Sequence, residues 1–148
     1  MLMTEKDYGS PPPRWILRAM TAINVFVYRL SGGKLMNQLM GSDICVVTMK
    51  GAKSGKTRNI PLMYVPYKHG LVLVASQGGA PTNPTWYYNL VAHPDITVEV
   101  HGKTLSLHAR QANSEEKQEV WPLCVEHYPD YEDYRHRTSR DIPVFICE

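Results

Sequence analysis

A short basic turn between two apolar segments is the feature that most restricts how this chain folds. Residues 44–48 (ICVVT) are an apolar run, and the turn at residues 51–56 (GAKSGK) follows closely. Residues 58–66 then alternate in polarity and contain Pro61 and Pro66, and proline is excluded from helix interiors. The sequence therefore predicts a strand, a basic turn and a second extended segment.

The composition of the turn is that of an anion-binding site. Glycines let backbone N–H groups point toward a ligand, and Lys53, Lys56 and Arg58 add positive charge. Ser54 adds a hydroxyl donor, so a phosphate group suits the turn. A nucleotide-binding P-loop is excluded, because only three residues separate the two glycines and no helix follows. A solvated hairpin tip is the alternative, and the turn alone leaves both interpretations open.

Length and charge narrow the function classes. A chain of 148 residues suits a single domain, which we place at residues 14–148 after a proline-rich arm at residues 1–13. The net charge of +2 is too small to indicate a nucleic-acid partner. Cys45, Cys124 and Cys147 lie far apart in apolar segments, which predicts buried free thiols in a reducing compartment, the cytoplasm. The histidines lack the spacing of metal ligands, so we expect no metal site.

Residues 14–30 have the pattern of an amphipathic helix that ends at Ser31. Three arginines interrupt it, so a membrane-spanning helix is excluded, and it lacks the cleavage site of a signal peptide. We favour packing of its apolar face on the core, because amphipathic helices usually pack this way. The alternative is contact with a membrane surface through Trp15 and Phe26. The predicted packing face consists of Ile16, Met20, Ile23, Val27 and Leu30, opposite Arg14, Arg18 and Arg29.

The remaining pattern is mainly that of strands. Strands are predicted at residues 44–48, 58–66, 71–76, 96–100, 104–109 and 142–147. The first three are expected to form a meander around the basic turn, and the next two a hairpin. Asn83 is predicted to cap a short helix at residues 85–92, and Ser114 to begin another helix. A closed or half-closed antiparallel barrel with helices at its ends fits this order.

Three longer segments carry a family resemblance. They are GAKSGKTRNIPLMYV at residues 51–65, ASQGGAPTNPTWYYNLVAHPDITVEV at residues 75–100 and HYPDYEDYRHRTSRDIPVFICE at residues 127–148. Together they resemble the deazaflavin-dependent nitroreductase family of actinobacteria, whose members use coenzyme F-420. The most specific parts are the basic turn with Arg58, the Asn83-Pro84-x-Trp86-Tyr87 helix start and the tyrosine triplet before the last Ile-Pro strand.

The resemblance implies a fold and an activity. The fold is mainly β with α, a split β-barrel of the FMN-binding-like type with an N-terminal amphipathic helix and helices flanking the barrel. The activity is hydride transfer from reduced F-420 to a quinone or nitroaromatic acceptor. F-420 carries a phosphodiester and an acidic oligoglutamate tail, for which the basic turn provides charged donors. The cofactor-binding residues implied are Ala52, Lys53, Ser54, Arg58, Asn59, Ile60, Pro61, Leu62, Met63, Val74, Ala75, Ser76, Gln77, Thr85, Trp86, Tyr87, Tyr88, Asn89 and Tyr131.

The same resemblance implies an acceptor site. Ser76, Tyr128, Tyr131 and Tyr134 fall where the family holds its acceptor. Their hydroxyl groups would donate hydrogen bonds to a quinone oxygen as it gains charge, an effect of at most ~2–4 kcal/mol. Tyrosines that only pack one helix face are the alternative. No residue is assigned as an acid, base or nucleophile, because hydride transfer is the chemistry of the cofactor.

Four positions depart from a close relative that activates nitro drugs. That relative has a tyrosine at the position of Met63, a lysine at Gln77, an arginine at Ala52 and an asparagine at Ile60. The missing tyrosine removes a polar contact to a nitro group, so we expect quinone reduction rather than nitroimidazole activation.

Other functions remain open at this stage. The chain is alternatively a non-catalytic F-420 carrier, or a split barrel that binds FMN or haem. The expected partner is a small-molecule quinone, and a dimer is left open. Residues 14–30 are a candidate for peripheral contact with the inner face of the cell membrane.

Overall fold

The computed structural model describes residues 13–33, 38–39 and 42–148. The predicted arm therefore lies outside the described residues, except for Pro13. The helices are α1 (Arg14–Leu30), α2 (Thr85–Ala92), α3 (Ser114–His127) and α4 (Asp130–Arg137), with a short 3-10 helix at Gln77–Gly79. The strands are β1 (Gln38–Leu39), β2 (Ser42–Lys50), β3 (Thr57–Met63), β4 (Val65–Tyr67), β5 (Gly70–Val74), β6 (Asp95–Val100), β7 (Lys103–Gln111) and β8 (Val144–Cys147). The predicted first helix with its end at Ser31 is confirmed. The hairpin predicted at residues 96–109 is also confirmed, and its strands extend to Asp95 and Gln111.

The strands form one curled antiparallel sheet. Its order is β4, β5, β8, β7, β6 and β2, and both β1 and β3 pair with β2. Every pairing in the described part of the chain is antiparallel. The expected half-closed barrel with flanking helices is confirmed.

Two prolines explain why the predicted three-strand meander is wrong. β3 hydrogen-bonds to β2, whereas β5 pairs with β4 and β8 rather than with β3. Pro61 lies in β3 and Pro66 in β4, and a proline has no N–H to donate to a second neighbouring strand. Both strands therefore lie at edges of the sheet, and Tyr64 joins these two edges.

Alternate residues along the strands belong to two different apolar clusters, one on each face of the sheet. On β5, Leu71 and Leu73 belong to an inner cluster inside the curled sheet. Val72 and Val74 belong to an outer cluster, which contains residues of α3 and α4. Trp86 of α2 is buried in the inner cluster. The inner cluster therefore brings α2 onto β2, and the outer cluster places the tyrosines of α4 against the outer face of the sheet.

Helix α1 packs on the outer face of the sheet. Val25 and Tyr28 are buried there against Val46 of β2. The Tyr28 hydroxyl donates to the backbone oxygen of Glu99 at 2.9 Å, and Arg29 forms an ion pair with the Glu99 carboxylate at 3.0 Å. These polar contacts to β6 fix the rotation of the helix about its axis.

The predicted packing face of α1 is wrong, because the contacts to β6 turn that face outward. Trp15, Phe26 and Leu30 are 71%, 65% and 77% exposed, and Met20 and Ile23 are exposed beside them. Among the described residues, no helix is both long and apolar enough to cross a bilayer. The protein thus presents a broad apolar helix face that its own sheet does not cover.

Asn83 does not cap α2, contrary to the prediction. The residue before the helix is Pro84, and it provides no side-chain cap. The Asn83 amide oxygen instead accepts a hydrogen bond from Arg140 at 2.8 Å, and a charged donor forms the stronger bond. Helix α3 begins as predicted, after Asn113, which forms a capping box with Glu116.

Candidate functional site

The basic turn at residues 51–56 connects β2 and β3, as predicted. The Gly51 N–H donates to the carbonyl oxygen of Lys56 at 2.8 Å, and the Gly55 N–H donates to that of Gly51 at 2.9 Å. Gly55 has a φ of 66°, which glycine adopts without strain. A Cβ at Gly51 would lie 2.7 Å from the Ser54 hydroxyl oxygen. The turn therefore folds closely on itself and presents its side chains outward.

The positive charges of the turn have no acidic partner among the residues that the structure describes. Lys53, Lys56 and Arg58 are exposed, and the salt bridges of the described residues do not include them. By contrast, Arg110 on β7 pairs with Glu116 at 2.6 Å. Exposed cations that lack an acidic partner among these residues attract an anion.

A buried asparagine links the turn to helix α2. The Asn89 side-chain oxygen accepts a hydrogen bond from the Ala52 N–H at 2.9 Å, and its amide nitrogen lies 3.5 Å from the Met49 sulfur. Trp86, one helical turn earlier, packs on Phe145 with ring centroids 5.9 Å apart. The predicted residues of the turn and of α2 therefore meet at one end of the inner cluster.

Residues 59–63, which are expected to line the cofactor ring, alternate between the two faces of β3. Ile60 and Leu62 pack against the inner cluster, which also contains α2. Asn59 lies on the opposite face, where its side-chain oxygen accepts hydrogen bonds from Thr48 at 2.8 Å and Arg29 at 2.9 Å. The structure thus places alternate residues of this stretch, and not Asn59, in the same inner cluster as Trp86 of α2.

The tyrosines after α3 border a cavity of about 150 Å³ on the outer side of the sheet. Tyr128 and Tyr131 line it together with Met63, and all three were predicted site residues. Tyr64 and His127 also line it and were missed, although each lies within a segment that carries the family resemblance. A cavity of this size holds one six-membered ring.

The phenol groups at this cavity are kept protonated. Burial, together with the hydrogen bond between the Tyr128 and Tyr134 hydroxyls at 3.0 Å, raises the pKa of Tyr128. Burial also raises the pKa of Tyr131. The Tyr64 hydroxyl lies 2.9 Å from His101 Nε2, and burial raises the pKa of Tyr64 to about 12. The cavity therefore offers neutral hydroxyl groups, which can donate hydrogen bonds to an acceptor oxygen.

The segment after β5 carries the predicted residues Ser76 and Gln77 and is held by an arginine that the sequence analysis missed. Arg140 donates to the backbone oxygens of Ser76 at 2.7 Å and Ala80 at 2.8 Å. Burial lowers the pKa of Arg140. In the sequence, Arg140 stands next to Asp141 and has the pattern of a surface ion pair, so no signal marked it. Asp141 pairs instead with a lysine of α3.

The other predicted residues are spread over both sides of the sheet. Val74 belongs to the outer cluster and Ala75 to the inner cluster. Thr85 and Tyr88 are exposed, and Tyr87 packs against an aromatic ring of β8 with centroids 5.7 Å apart. The predicted residues therefore form two main groups, one around the basic turn and α2 and the other around the cavity.

Comparison with known proteins identifies the family. The family model described as F-420H(2)-dependent quinone reductase matches residues 20–148. The chain belongs to this family. A relative of this quinone reductase in Mycobacterium tuberculosis (strain ATCC 25618 / H37Rv), named F-420H(2)-dependent quinone reductase Rv1261c, is 30% identical over 141 residues, which cover 90% of this chain and 95% of the relative.

Solved structures agree with the assignment. The structure of an F-420-H2 dependent reductase (FDR-A) has 45% sequence identity and a TM-score of 0.67, and the match covers 71% of this chain and 93% of that chain. A second structure, described as a domain-swapped dimer, has 37% identity and a TM-score of 0.70, over 93% of this chain and 100% of that chain. The family resemblance is confirmed. The quinone reductase is an oxidoreductase that transfers a hydride from reduced F-420 to a quinone.

The side chains present fit this cofactor. Cations would bind its phosphodiester and acidic tail, and Lys53, Lys56 and Arg58 would provide them, since they have no competing carboxylate among the described residues. An apolar surface would suit its flat ring, and Ile60 and Leu62 would provide one in the cluster that also contains Trp86 of α2.

Proposed function

We propose that this quinone reductase binds the phosphodiester and acidic tail of F-420 at the basic turn, and the ring of F-420 between β3 and α2. The observation that carries this assignment is the group of cations Lys53, Lys56 and Arg58, for which the described residues provide no acidic partner. The Ala52–Asn89 hydrogen bond joins their turn to α2. Hydrogen bonds to charged groups contribute about 1.5–3 kcal/mol each, which is enough to hold an anionic tail.

The quinone ring binds in the cavity beside Tyr128 and Tyr131. Tyr64 belongs to the inner cluster and also lines the cavity, so the proposed cofactor and acceptor sites meet where β3 ends. Met63, the neighbouring residue, provides an apolar wall of the cavity in place of a polar one. This composition favours a quinone over a nitro compound, since it provides few polar contacts at that wall.

The residues of the chain act by position and polarity. F-420, when bound in its reduced form, supplies the hydride. A quinone that accepts a hydride gains negative charge on its oxygen, and it completes its reduction to the hydroquinone by taking up one proton. The protonated hydroxyls of Tyr128 and Tyr131 donate hydrogen bonds to that oxygen, which stabilises the charge as it forms.

A fluorescence titration with F-420, followed by an assay with menadione, tests the proposal. We expect saturable binding of F-420, and oxidation of reduced F-420 only when menadione is present. Binding without acceptor-dependent oxidation would favour a non-catalytic carrier. A visible spectrum of FMN or haem in the protein as isolated would contradict the cofactor assignment.

The exposed face of α1 supports a second proposal, contact with the inner face of the cell membrane from the cytoplasm. Its outward residues include Trp15, Phe26 and Leu30, and tryptophan and phenylalanine are typical of helices that lie in a membrane interface. Arg18 lies at the border of this face, where it can approach anionic lipid headgroups. A helix held in this way would place the barrel next to quinones dissolved in the bilayer.

Sedimentation with vesicles of anionic and neutral phospholipid tests the membrane contact. We expect the protein to sediment with anionic vesicles, and Phe26→Glu to abolish the effect. Val91→Glu, which changes an exposed apolar residue of α2 in the same way, serves as the matched control. A protein that stays in the supernatant, and forms a dimer that Phe26→Glu dissociates, would show that a second copy covers this face instead. The solved structure with 37% identity is described as a domain-swapped dimer, so a dimer is a specific alternative to membrane contact.

A further inference from the structure

Arg140 connects three parts of the loop between β5 and α2. Its guanidinium donates to the backbone oxygens of Ala75 at 3.2 Å, Ser76 at 2.7 Å and Ala80 at 2.8 Å. It also donates to the side-chain oxygen of Asn83 at 2.8 Å. None of these partners is a carboxylate. The arginine therefore donates its hydrogen bonds to the loop and does not form an ion pair with them. The planar guanidinium fixes all four acceptors relative to one another.

The loop has a conformation that needs such support. Ser76 is helical with φ −74° and ψ −37°, and the next residue, Gln77, has a φ of 46°, which is unfavourable for a residue with a side chain. Gly78 and Gly79 continue with φ 63° and 78°. A Cβ at Gly79 would lie 2.9 Å from the backbone oxygen of Tyr134, so the loop also packs closely on α4. The loop therefore lies between β5, α2 and α4, the elements that carry the predicted site.

The bonds to Arg140 decide where two backbone donors point. Peptide bonds of the described residues are trans, so each N–H points opposite to the carbonyl oxygen of the same peptide plane. The oxygens of Ala75 and Ser76 point toward Arg140, which directs the N–H groups of Ser76 and Gln77 away from it. Within the described residues, neither N–H donates to another protein group. Successive N–H groups in a right-handed then left-handed pair form a concave site for a negatively charged atom.

Two residues beside this pair of N–H groups, Gln77 and Gly78, are exposed. A Cβ added at Gly78 would meet no atom within 4 Å. Ser76 and Gln77 stand among the residues that the family resemblance assigns to the cofactor.

We propose that Arg140 is a positioning residue for the cofactor, which holds residues 75–77 so that the N–H groups of Ser76 and Gln77 donate to an oxygen or nitrogen of F-420. The inference rests on the proposed function. Arg140 itself does not touch the cofactor in this scheme, because its guanidinium nitrogens donate to the loop and to Asn83. The two N–H groups would complement the apolar surface of Ile60 and Leu62 by fixing the ring in one orientation.

Arg140→Gln and Arg140→Lys test this role. We expect each to raise the Kd for F-420 at least tenfold and to raise the KM for reduced F-420, while the KM for menadione changes less than twofold. Lysine keeps the charge, but its single nitrogen does not reach four acceptors, so it should not rescue binding. Arg110→Gln, which removes an exposed arginine from β7, is the matched control and should leave the Kd within twofold of the wild-type value.

A merely structural role would give a different pattern. It would lower the melting temperature while leaving the Kd of the folded protein unchanged, and that result overturns the inference. If Arg140→Gln does not fold, Asn83→Ala removes one of the four acceptors alone. It should raise the Kd about threefold and speed hydrogen exchange of the amides at residues 75–83, and an unchanged Kd with unchanged exchange would also overturn the inference. Wild-type protein that does not bind F-420 would remove the proposed function and this inference together, whereas wild-type binding with unaffected variants removes only the inference.

Discussion

The side-chain oxygen of Asn89 accepts a hydrogen bond from the backbone N–H of Ala52 at 2.9 Å, and this bond holds the basic turn against helix α2. Asn89 is 5% exposed, so Asn89→Ala leaves a partly buried N–H without its partner. Such a loss costs about 1–3 kcal/mol, and urea unfolding should show a decrease of this size in the free energy of unfolding. Because the turn loses its attachment, the Kd for F-420 should rise at least threefold.

A second α2 variant separates the hydrogen bond from a general effect on the helix. Val91 is exposed on the same helix, and Val91→Ala should change the free energy of unfolding by less than about 0.5 kcal/mol and leave F-420 binding unchanged. If Asn89→Ala proves as stable as Val91→Ala, the link between turn and helix has no energetic importance.

The cations of the basic turn should control cofactor affinity. Lys53→Ala combined with Arg58→Ala should raise the Kd for F-420 about tenfold or more, since each charged hydrogen bond contributes roughly 1.5–3 kcal/mol. The wild-type affinity should fall as salt rises from 0.1 to 1 M, because the screening length shrinks from about 10 Å to about 3 Å. The double variant should depend less on salt. Lys103→Ala, at an exposed lysine of β7, should bind F-420 as the wild type does, and equal affinity of the double variant would exclude the turn from binding.

The cavity tyrosines should act on the acceptor and not on the cofactor. Tyr128→Phe removes a hydroxyl that lies 3.0 Å from the Tyr134 hydroxyl and borders the cavity. We expect kcat/KM for menadione to fall about tenfold, which corresponds to ~1.4 kcal/mol of transition-state stabilisation, with an unchanged Kd for F-420. Tyr134→Phe tests whether the partner hydroxyl matters by itself. A weaker F-420 affinity with normal menadione kinetics would move Tyr128 to the cofactor site.

Local sequence patterns predicted the helices and strands of this fold, whereas the order of the strands in the sheet depends on pairing between distant residues. Periodicity and turn residues close in sequence predict the helix at residues 14–30, the strand–turn–strand unit around the basic turn and the hairpin at residues 96–109. The partner of β3 does not, since edge position depends on Pro61 and on which strand the chain reaches later. A prediction that weighed Pro61 as an edge-strand signal would have avoided the three-strand meander.

In the candidate site, too, the residues within local motifs were predicted and those placed by long-range hydrogen bonds were not. The turn cations and α2 residues were marked by composition and by the family motif, and the structure joins them through Asn89. Arg140 carried no signal, because its four acceptors come from residues 75–83, about 60 positions earlier in the chain. The packing face of α1 was predicted from amphipathicity alone, whereas the polar contacts of Tyr28 and Arg29 with Glu99 determine it. A hydrogen bond between residues far apart in the chain produces no repeating pattern from which the sequence could predict it.

Alkaline pH should destabilise the protein through its buried phenols. Tyr64, Tyr128 and Tyr131 have raised pKa values in the folded state, so the folded protein holds these protons more tightly than the unfolded chain. The stabilisation is fully present below the unfolded value of about 10 and is lost as the pH rises through the folded value, about 12 for Tyr64. Urea midpoints measured in steps above about pH 9 should fall, and Tyr64→Phe should lose less stability than the wild type between about pH 10 and 11. Equal slopes would show that Tyr64 titrates normally.

The three cysteines should be unreactive until the protein unfolds. Cys45, Cys124 and Cys147 are buried free thiols, as the sequence predicted, and burial raises the pKa of each to about 12. Because the thiolate is the reactive form and reagents also need access, Ellman's reagent near neutral pH should modify none of them in the native protein. All three should react in urea, at a rate that follows unfolding as the urea concentration is raised. Rapid modification of one thiol without urea would show that the sheet opens locally, either at β2 and β8, which contain Cys45 and Cys147, or at α3, which contains Cys124.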